Sequence, residues 1–416
     1  MQTSRADAVE PVARQPVAGQ AEPTDLELSS DPAADRPQRA RDRLAAALGA
    51  AGWPVAVYCA SRLLLLTVAS VVAVVTHHSL ANDAFLFDGR WYLRLTEHGY
   101  PVRPLHAKST LGFFPLYPLV VRAVAWVCFM PVPQAALVTS IAGGLAAALL
   151  VQRLAAAWWG EQTARRAVLV VCLFPGSIVF SMAYSECLTI PLAVGCLLAL
   201  RSRRWLIAGL LAGLATAVEP VALVLIPVCA AAAVAQVRSL GWRDPAARRS
   251  VAAPLLAPLG IAGLAVFLWT WTGTPFAAYL AQHYGWHQQS EPLALLALPV
   301  ARHLLSQPAQ LVPRIFAWNI WNGILGGVFL GFSVRALLRV RGELSAGALM
   351  LPAGIAALTL WSIMTPPNAR MALVAFPAIM VWGRRLSGRA FGLFVAVEVL
   401  VLVLTSALTF SAHMLP

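Results

Sequence analysis

The residues best suited to do chemistry are the carboxylates that follow long apolar stretches. Asp88 is the clearest example, because it stands in the segment FDGRWYLRLTEHGY (Phe87–Tyr100), directly after a hydrophobic run. Such a carboxylate is either the N-cap of the amphipathic helix that this segment predicts, or a group that acts on a substrate. The two roles are compatible, since a capping carboxylate is held ionised and oriented. We take Asp88 as the candidate catalytic residue, with the plain helix cap as the alternative.

Other acids and histidines give weaker signals. Glu186 ends the run FPGSIVFSMAYSE, whose Pro-Gly pair predicts a broken helix, and broken helices often line cavities. Glu398 lies inside the last apolar stretch, where an embedded acid is costly and therefore a functional candidate. His283 and His287 have the spacing of two metal ligands on one helix face, but no clear third ligand accompanies them. The sequence therefore gives no support to a divalent metal.

The composition places these residues in a membrane protein. The chain of 416 residues is 59% hydrophobic and only 12% charged, with a mean hydropathy of +0.71. Soluble proteins carry roughly a quarter charged residues. The net charge of +13 is explained by arginine-rich cytoplasmic loops, so we expect no nucleic-acid partner. The six cysteines form no CxxC motif, and neither disulfides nor a cysteine metal site is predicted.

The placement of arginine predicts the topology. Residues 1–45 lack a periodic apolar pattern and are predicted to be a disordered cytoplasmic tail before one transmembrane domain at 46–416. The segment Phe113–Met130 is taken as an interfacial helix, because a crossing there would put the later arginine clusters outside. The long outer loops are then 77–133 and 273–312.

About eleven spans follow from this choice, at roughly 20 residues for each full crossing. They are predicted at about 53–76, 134–156, 167–184, 187–200, 205–218, 221–237, 251–272, 313–334, 345–364, 371–383 and 390–412. The chain is thus expected to be an all-α, multi-pass protein of the cell membrane, with a cytoplasmic N-terminus and a site on the extracytoplasmic side.

Several stretches resemble one known family. FDGRWYLRLTEHGYP, followed after a short spacer by GFFPLYPLVVRA, resembles the PIG-V-type mannosyltransferases, the family of the second GPI mannosyltransferase and its bacterial relatives. The resemblance continues through Leu173–Pro227 and resumes with NARMALVAFP at Asn368–Pro377, so it covers most of the chain outside the tail. Trp91 stands where eukaryotic members often have His. Glu219 stands where relatives commonly carry Arg, which would suit a lipid phosphate better.

The resemblance implies a GT-C-type bundle with interfacial helices in the first outer loop, and Asp88 matches the catalytic aspartate. It implies a polyprenyl-phosphate sugar, here mannose, as the donor substrate. No cofactor is predicted with certainty, and a divalent metal stays an open alternative without support in the sequence. The expected reaction is inverting transfer, in which Asp88 is the general base on an acceptor hydroxyl. Arg370, Arg90 and Lys108 are candidates to stabilise the departing phosphate, and Glu186 could orient hydroxyl groups. The substrate-binding residues expected from the resemblance are Arg90, Trp91, Tyr92, Glu97, His98, Lys108, Phe114, Tyr117, Tyr184, Glu186 and Arg370.

The expected partners are the lipid-linked sugar donor, membrane lipids, and an acceptor that is a lipid, a glycan or a protein. One alternative function is a lipid or glycan transporter or flippase, which predicts repeat symmetry and charges near the bilayer midplane. No internal repeat is found in the sequence, and Arg62, Glu398 and Glu219 are the only candidates for embedded charge. A second alternative is an inactive GT-C relative that serves as a partner subunit, for which Glu219 is the main indication.

Overall fold

The computed structural model describes residues 36–77, 79, 84–287, 306, 320–360 and 368–412. Within these residues every regular element is helical and no strand occurs, which confirms the all-α prediction. The α-helices are α1 (Arg36–Thr76), α2 (Asp88–His98), α3 (Leu116–Val127), α4 (Val132–Trp159), α5 (Glu161–Leu173), α6 (Glu186–Arg201), α7 (Trp205–Thr216), α8 (Leu225–Leu240), α9 (Pro245–Ser250), α10 (Ala252–Leu256), α11 (Leu259–Thr272), α12 (Ala277–Leu280), α13 (Ile320–Leu338), α14 (Ala346–Leu360), α15 (Ala369–Val374), α16 (Phe376–Arg385) and α17 (Gly388–Ala412).

Short 3₁₀-helical segments and one π-helical turn connect several of these helices. The 3₁₀ segments are Thr110–Gly112, Pro175–Ser181, Pro220–Val224 and Arg341–Glu343, and a π-helical turn covers Ala281–Gly285. Contacts divide the chain into residues 1–50 and 51–416. All the contacts described below lie within 51–416.

Helices that could span a membrane are present, as the composition predicts. Among the described residues, five helical stretches are long and apolar enough to cross a bilayer, and the bent pair of α5 with Pro175–Ser181 would make a sixth. The five are 51–76, 132–159, 220–240, 245–272 and 388–411. Shorter apolar helices such as α7 and α14 occupy other predicted spans. The count of eleven therefore stays a prediction.

Two boundaries differ from those predicted. Helix α1 begins at Arg36, so the last ten residues of the predicted tail are helical, and residues 1–35 lie outside the described residues. The span predicted at 371–383 is two helices, α15 and α16, that meet at Ala375. Pro377, in the first turn of α16, has no backbone N–H to continue the ladder of α15. The predicted loop 273–312 is described only to residue 287 and at 306.

The first predicted outer loop contains two amphipathic helices, α2 and α3. Helix α3 has 12 residues and is therefore about 18 Å long, shorter than the ~30 Å of bilayer hydrocarbon. This length suits the predicted interfacial position, which stays a prediction. The Arg122 guanidinium of α3 donates to the Thr96 carbonyl of α2 at 2.6 Å, and the Leu116 N–H donates to the Ala217 carbonyl at 3.0 Å. The two short helices are thereby fixed to each other and to the end of α7.

The bend after α5 is held by a charged residue from α1. Pro175-Gly176 ends α5, and the following 3₁₀ segment turns away by 74°. The Arg62 guanidinium donates to the Ser177 carbonyl at 2.7 Å, to Ser181 Oγ at 2.9 Å and to Ser177 Oγ at 3.1 Å. This embedded arginine therefore satisfies the backbone that the break exposes, and the bent segment delivers the chain to Tyr184 and Glu186.

Candidate active site

Asp88 begins α2 but does not cap it. Phe87 occupies the N-cap position with φ 53°, and no side chain makes a capping hydrogen bond there. Asp88 lies instead in the first turn, where a negative charge is favoured by the helix dipole. The simple alternative of an N-cap aspartate is therefore wrong, and the carboxylate has a different partner.

That partner is Arg370, from the first turn of α15. Arg370 Nη1 donates to Asp88 Oδ2 at 2.5 Å, across 282 positions of sequence. Arg370 Nε forms an ion pair with Glu186 Oε1 at 3.0 Å, and the guanidinium lies 5.2 Å from the centre of the Tyr184 ring. One guanidinium thus joins two carboxylates that the sequence analysis had singled out separately.

Local sequence explains how Arg370 reaches this position. Asn368 caps α15, since its Oδ1 accepts from the Met371 N–H at 2.8 Å. Two glycines allow other helices to approach this turn. A Cβ on Gly176 would stand 2.2 Å from the Ala369 carbonyl oxygen, and one on Gly326 would stand 2.4 Å from Asn368. The Pro-Gly break therefore both turns the chain and admits the turn that carries Arg370.

A third acid adjoins the first two. Tyr92 of α2 donates through its hydroxyl to Ser185 Oγ at 2.9 Å, and Ser185 Oγ donates to Glu219 Oε2 at 3.3 Å. Glu219 lies between α7 and Pro220–Val224, and it is 7% exposed. A hydrogen-bonded chain thus connects α2, the start of α6 and the end of α7. Sequence analysis noted Glu219 as a departure from relatives but did not predict this contact.

The cluster contains three carboxyl groups but only one guanidinium, so its acids outnumber its bases. Burial and the neighbouring Glu186 carboxylate raise the pKa of Glu219 to about 8, so Glu219 is largely neutral at pH 7. Burial also raises the pKa of Glu186, and the Arg370 guanidinium opposes that rise. One oxygen of Glu186 and one of Glu219 have no hydrogen-bond partner among the described residues. The cluster therefore keeps acceptor capacity that its own side chains do not use.

Access to the cluster is through Asp88. Its side chain is 31% exposed, whereas that of Arg370 is 14% exposed and that of Glu186 is 1% exposed. A substrate would therefore meet the Asp88 carboxylate first. The Arg370 guanidinium holds that carboxylate in position, and Glu186 in turn pairs with Arg370.

Aromatic rings form a wall beside α2. Trp91 stacks on Phe113 at 6.2 Å between ring centroids, and Trp286 meets Trp91 edge-on at 4.8 Å. Tyr92 packs edge-on against Phe113 at 5.0 Å and against Tyr117 at 4.9 Å. Sequence analysis missed Trp286. The aromatic and histidine-rich run HYGWH at 283–287 is the signal that could have indicated it.

The other predicted binding residues are spread more widely. Tyr117 is 1% exposed and hydrogen-bonds to Ser140 Oγ at 3.2 Å, while Phe114 packs in a separate apolar cluster with Leu264 and Leu268. Neither forms a hydrogen bond with the Asp88 side chain, whose partner within the described residues is Arg370. A cavity of about 770 Å³ beside α2 is lined by a further set that includes Arg90, Trp91, Glu97, His98 and Lys108. The roles of these residues stay predictions.

Two weaker candidates lie apart from the cluster. Glu398 in α17 is 4% exposed, and neither carboxylate oxygen has a hydrogen-bond partner in the described part of the chain. The His283 ring stacks on Tyr279 at 5.5 Å. Over the residues that the structure describes, no group of three or more His, Cys, Asp or Glu side chains could hold a metal ion.

The fold and this cluster define a helical membrane protein with a partly exposed carboxylate held by a buried arginine. Residues 56–240 match the family model described as Mannosyltransferase (PIG-V), which covers α2, Glu186 and Glu219. Over this region, which is less than half of the chain, the sequence is similar to the PIG-V mannosyltransferase family whose motifs it resembles. GPI mannosyltransferase 2 from Drosophila pseudoobscura pseudoobscura is 33% identical over 110 residues, which are 24% of this chain and 23% of that protein.

Two solved structures also align with most of this chain at low sequence identity. The archaeal oligosaccharyltransferase AglB from Archaeoglobus fulgidus, in complex with an inhibitory peptide and a dolichol-phosphate, aligns with a TM-score of 0.48 and 14% identity. The alignment covers 86% of this chain and 56% of that one. The apo form of the Archaeoglobus fulgidus oligosaccharyltransferase aligns with a TM-score of 0.47, again at 14% identity, over 87% of this chain and 56% of that one. This chain therefore spans a little over half of these structures and about a quarter of the curated relative.

Proposed function

We propose that this protein is a membrane mannosyltransferase of the GT-C type, which transfers the sugar of a polyprenyl-phosphate donor to an acceptor hydroxyl on the extracytoplasmic side. The family match over 56–240 supports the mannosyltransferase class. The observation that carries the site assignment is the Asp88–Arg370–Glu186 cluster, in which only the Asp88 carboxylate is substantially accessible.

In this reaction the Asp88 carboxylate accepts the proton of the acceptor hydroxyl. The hydroxyl oxygen then bonds to the anomeric carbon while the bond from that carbon to the phosphate oxygen breaks on the opposite face. The configuration is therefore inverted, and the polyprenyl phosphate departs with the electron pair. Phosphate is a good leaving group, so cationic stabilisation matters more than a general acid.

Arg370 has two tasks in this scheme. Its contact with Asp88 Oδ2 fixes the carboxylate, and its positive charge lowers the cost of bringing an anionic phosphate beside two acids. Neutral Glu219 helps in the same direction, because an ionised third carboxylate would repel the phosphate. The position at which relatives commonly carry Arg is thus occupied here by an acid whose raised pKa, about 8, leaves it largely uncharged at pH 7.

The test is transfer from labelled polyprenyl-phosphate-mannose in membranes that contain Asp88→Asn. Removal of a general base should lower the rate by about 10²–10⁴-fold. Glu343→Gln is the matched control, because Glu343 is an exposed carboxylate that pairs with Arg384 at 3.2 Å. Near-normal transfer by Asp88→Asn would reject the assignment. Retained donor binding with no transfer by the unchanged protein would instead favour the inactive partner subunit.

The proposed side of action has its own test. A cysteine placed next to the site, at Arg90, should react with a membrane-impermeant maleimide added outside intact cells. Arg90 is exposed, so a cysteine at this position is accessible to the reagent. Reaction with cytosolic reagent alone would reverse the predicted topology.

A further inference from the structure

Two cavities adjoin at the end of α2, and they differ sharply in character. The first has a volume of about 660 Å³ and a largely apolar wall that includes Leu95, Tyr100, Pro118, Leu264 and Phe267. The second has a volume of about 770 Å³. His98, Gly99 and Tyr100 line both cavities, so the two are separated by a single turn of chain. Both volumes lie within the ~300–1,000 Å³ range of ligand sites.

The second cavity is strongly cationic. Arg90, Arg94, Arg103 and Lys108 line it, against the single carboxylate of Glu97. All four cations have exposed side chains. Such a concentration of positive charge around one cavity attracts an anion of the size of a phosphate group.

The apolar cavity opens on surface that suits lipid. Leu119, Leu259 and Phe267 line it while 56%, 54% and 40% exposed. Residues 245–272, which supply one wall, form a candidate membrane span. Gly263 belongs to this wall, and a Cβ added to it would meet no atom within 4 Å, so the backbone of α11 borders open space there.

The apolar cavity is separated from the reacting centre along α2, whereas the cationic cavity begins at Arg90, two residues beyond Asp88. Asp88, Glu186 and Arg370 line neither cavity. The apolar cavity begins seven residues beyond Asp88, at Leu95, which a helix covers in about 10 Å. In a sugar-phosphate donor the reacting carbon is attached directly to the phosphate, so its lipid chain would start beside Asp88. The apolar cavity, about 10 Å along α2 from Asp88, therefore suits the chain of an amphiphile other than the donor.

We infer that the two cavities bind one anionic membrane phospholipid, with its phosphate among the four cations and an acyl chain in the apolar cavity. The site requires both halves of the ligand, because charge is concentrated in one cavity and apolar surface in the other. Arg122 also lines the apolar cavity, and its donation to the Thr96 carbonyl keeps its charged end against α2. The inference does not depend on the proposed transfer reaction.

The first experiment fills the apolar cavity. The full-length protein is titrated in detergent with short-chain phosphatidylglycerol, and binding is followed by native mass spectrometry. Gly263→Leu should weaken binding by about tenfold, since the new side chain occupies the chain's space. Gly392→Leu is the matched control: Gly392 also lies in a long apolar helix, and its Cβ would also meet no atom within 4 Å. Equal binding by the two variants would overturn the inference.

The second experiment removes charge from the other cavity. The double variant Arg94→Gln/Lys108→Gln should bind phosphatidylglycerol about thirtyfold more weakly, at the usual contribution of each cation near an anionic headgroup. Arg339→Gln/Arg341→Gln removes the same charge from exposed residues that line neither cavity. The unchanged protein should prefer phosphatidylglycerol to phosphatidylcholine of the same chain length.

Three outcomes would contradict the inference. Equal affinity for the neutral and anionic lipids would remove the role of the cations. Binding of free glycerol phosphate as tightly as the lipid would remove the role of the apolar cavity. Displacement of phosphatidylglycerol by a short polyprenyl phosphate at lower concentration would assign the cavities to the donor instead.

Discussion

Two arginines in this molecule are held away from solvent in very different surroundings. Arg62 donates to neutral oxygens of Ser177 and Ser181 and lies over the Tyr58 ring at 5.2 Å. Arg370 faces the carboxylates of Asp88 and Glu186. The first arginine completes hydrogen bonds that a helix break leaves open, whereas the second holds together acids that would otherwise repel each other.

The difference separates a charge that completes the fold from one that we propose serves the reaction. Around Arg62 the described partners are neutral groups, and the guanidinium has no acid to orient. Around Arg370 there are two contacting acids and a third nearby, and oxygens of Glu186 and Glu219 have no hydrogen-bond partner in the described chain. Unused acceptors in a buried cluster are costly, and such clusters concentrate at sites of chemistry. The following changes test this contrast.

The largest effect is expected from Arg370→Gln. It leaves two acids in contact range without a cation, which typically costs about 3–5 kcal/mol when the ion pair is buried. Transfer should be lost as well, because Asp88 is no longer held. The apparent melting temperature in detergent and the transfer rate measure the two losses. The double variant Arg370→Gln/Glu186→Gln should recover part of the stability but no transfer. If Arg370→Gln is as stable as the unchanged protein, the cluster is not electrostatically coupled.

Arg62→Gln should give the opposite pattern. The shorter amide cannot reach all the oxygens that Arg62 satisfies, and unpaired buried polar groups cost about 2–3 kcal/mol. Most of the transfer activity of the folded protein should remain, since Arg62 touches none of the acids. The same two measurements apply. A variant that keeps its melting temperature but loses transfer would show that Arg62 belongs to the site.

The stability of Glu219→Gln as a function of pH tests whether Glu219, the third acid, is neutral. The folded-state pKa of about 8 lies above the ordinary value of 4.5. The stability that Glu219 contributes is therefore full below about pH 4.5 and is lost as the pH rises to about 8. Glutamine cannot lose a proton, so the variant should be more stable than the unchanged protein at pH 8, by on the order of 4 kcal/mol. It should show little difference at pH 4.5. Melting temperatures of the two proteins between pH 4.5 and pH 8 test this expectation. Parallel curves of melting temperature against pH would mean that Glu219 ionises normally.

Much of the helix arrangement follows from the sequence, because apolar length and arginine placement are local signals. The span predicted at 134–156 is α4, and the one at 390–412 is α17. Helix breaks were harder to place. Pro175-Gly176 was predicted to interrupt a span, and it does, but the division of 371–383 at Ala375 was not foreseen.

The site was only partly predictable, for a related reason. An apolar run precedes or follows each of three charged residues, Asp88, Glu186 and Arg370. The predicted topology therefore places all three on the same side of the membrane. The sequence carries no signal that Ser185 joins Tyr92 to Glu219, because that contact depends on how three helix ends pack. Trp286 was missed in the same way, since its partner Trp91 is almost two hundred positions earlier.

The smallest effect is expected from Asn368→Ala, which removes the cap that fixes the turn carrying Arg370. Loss of an N-cap costs about 1 kcal/mol. Asp244→Ala is the matched control, because Asp244 caps α9 by accepting from the Ala246 N–H at 2.6 Å and makes no contact with the cluster. Both variants should lose similar stability, but only Asn368→Ala should lower the transfer rate, since only that cap orients the guanidinium that holds Asp88, the proposed general base. Equal rates in the two variants would mean that Gly176 and Gly326 alone set the position of Arg370. Packing, rather than the turn capped by Asn368, would then account for the difference between Arg370 and Arg62.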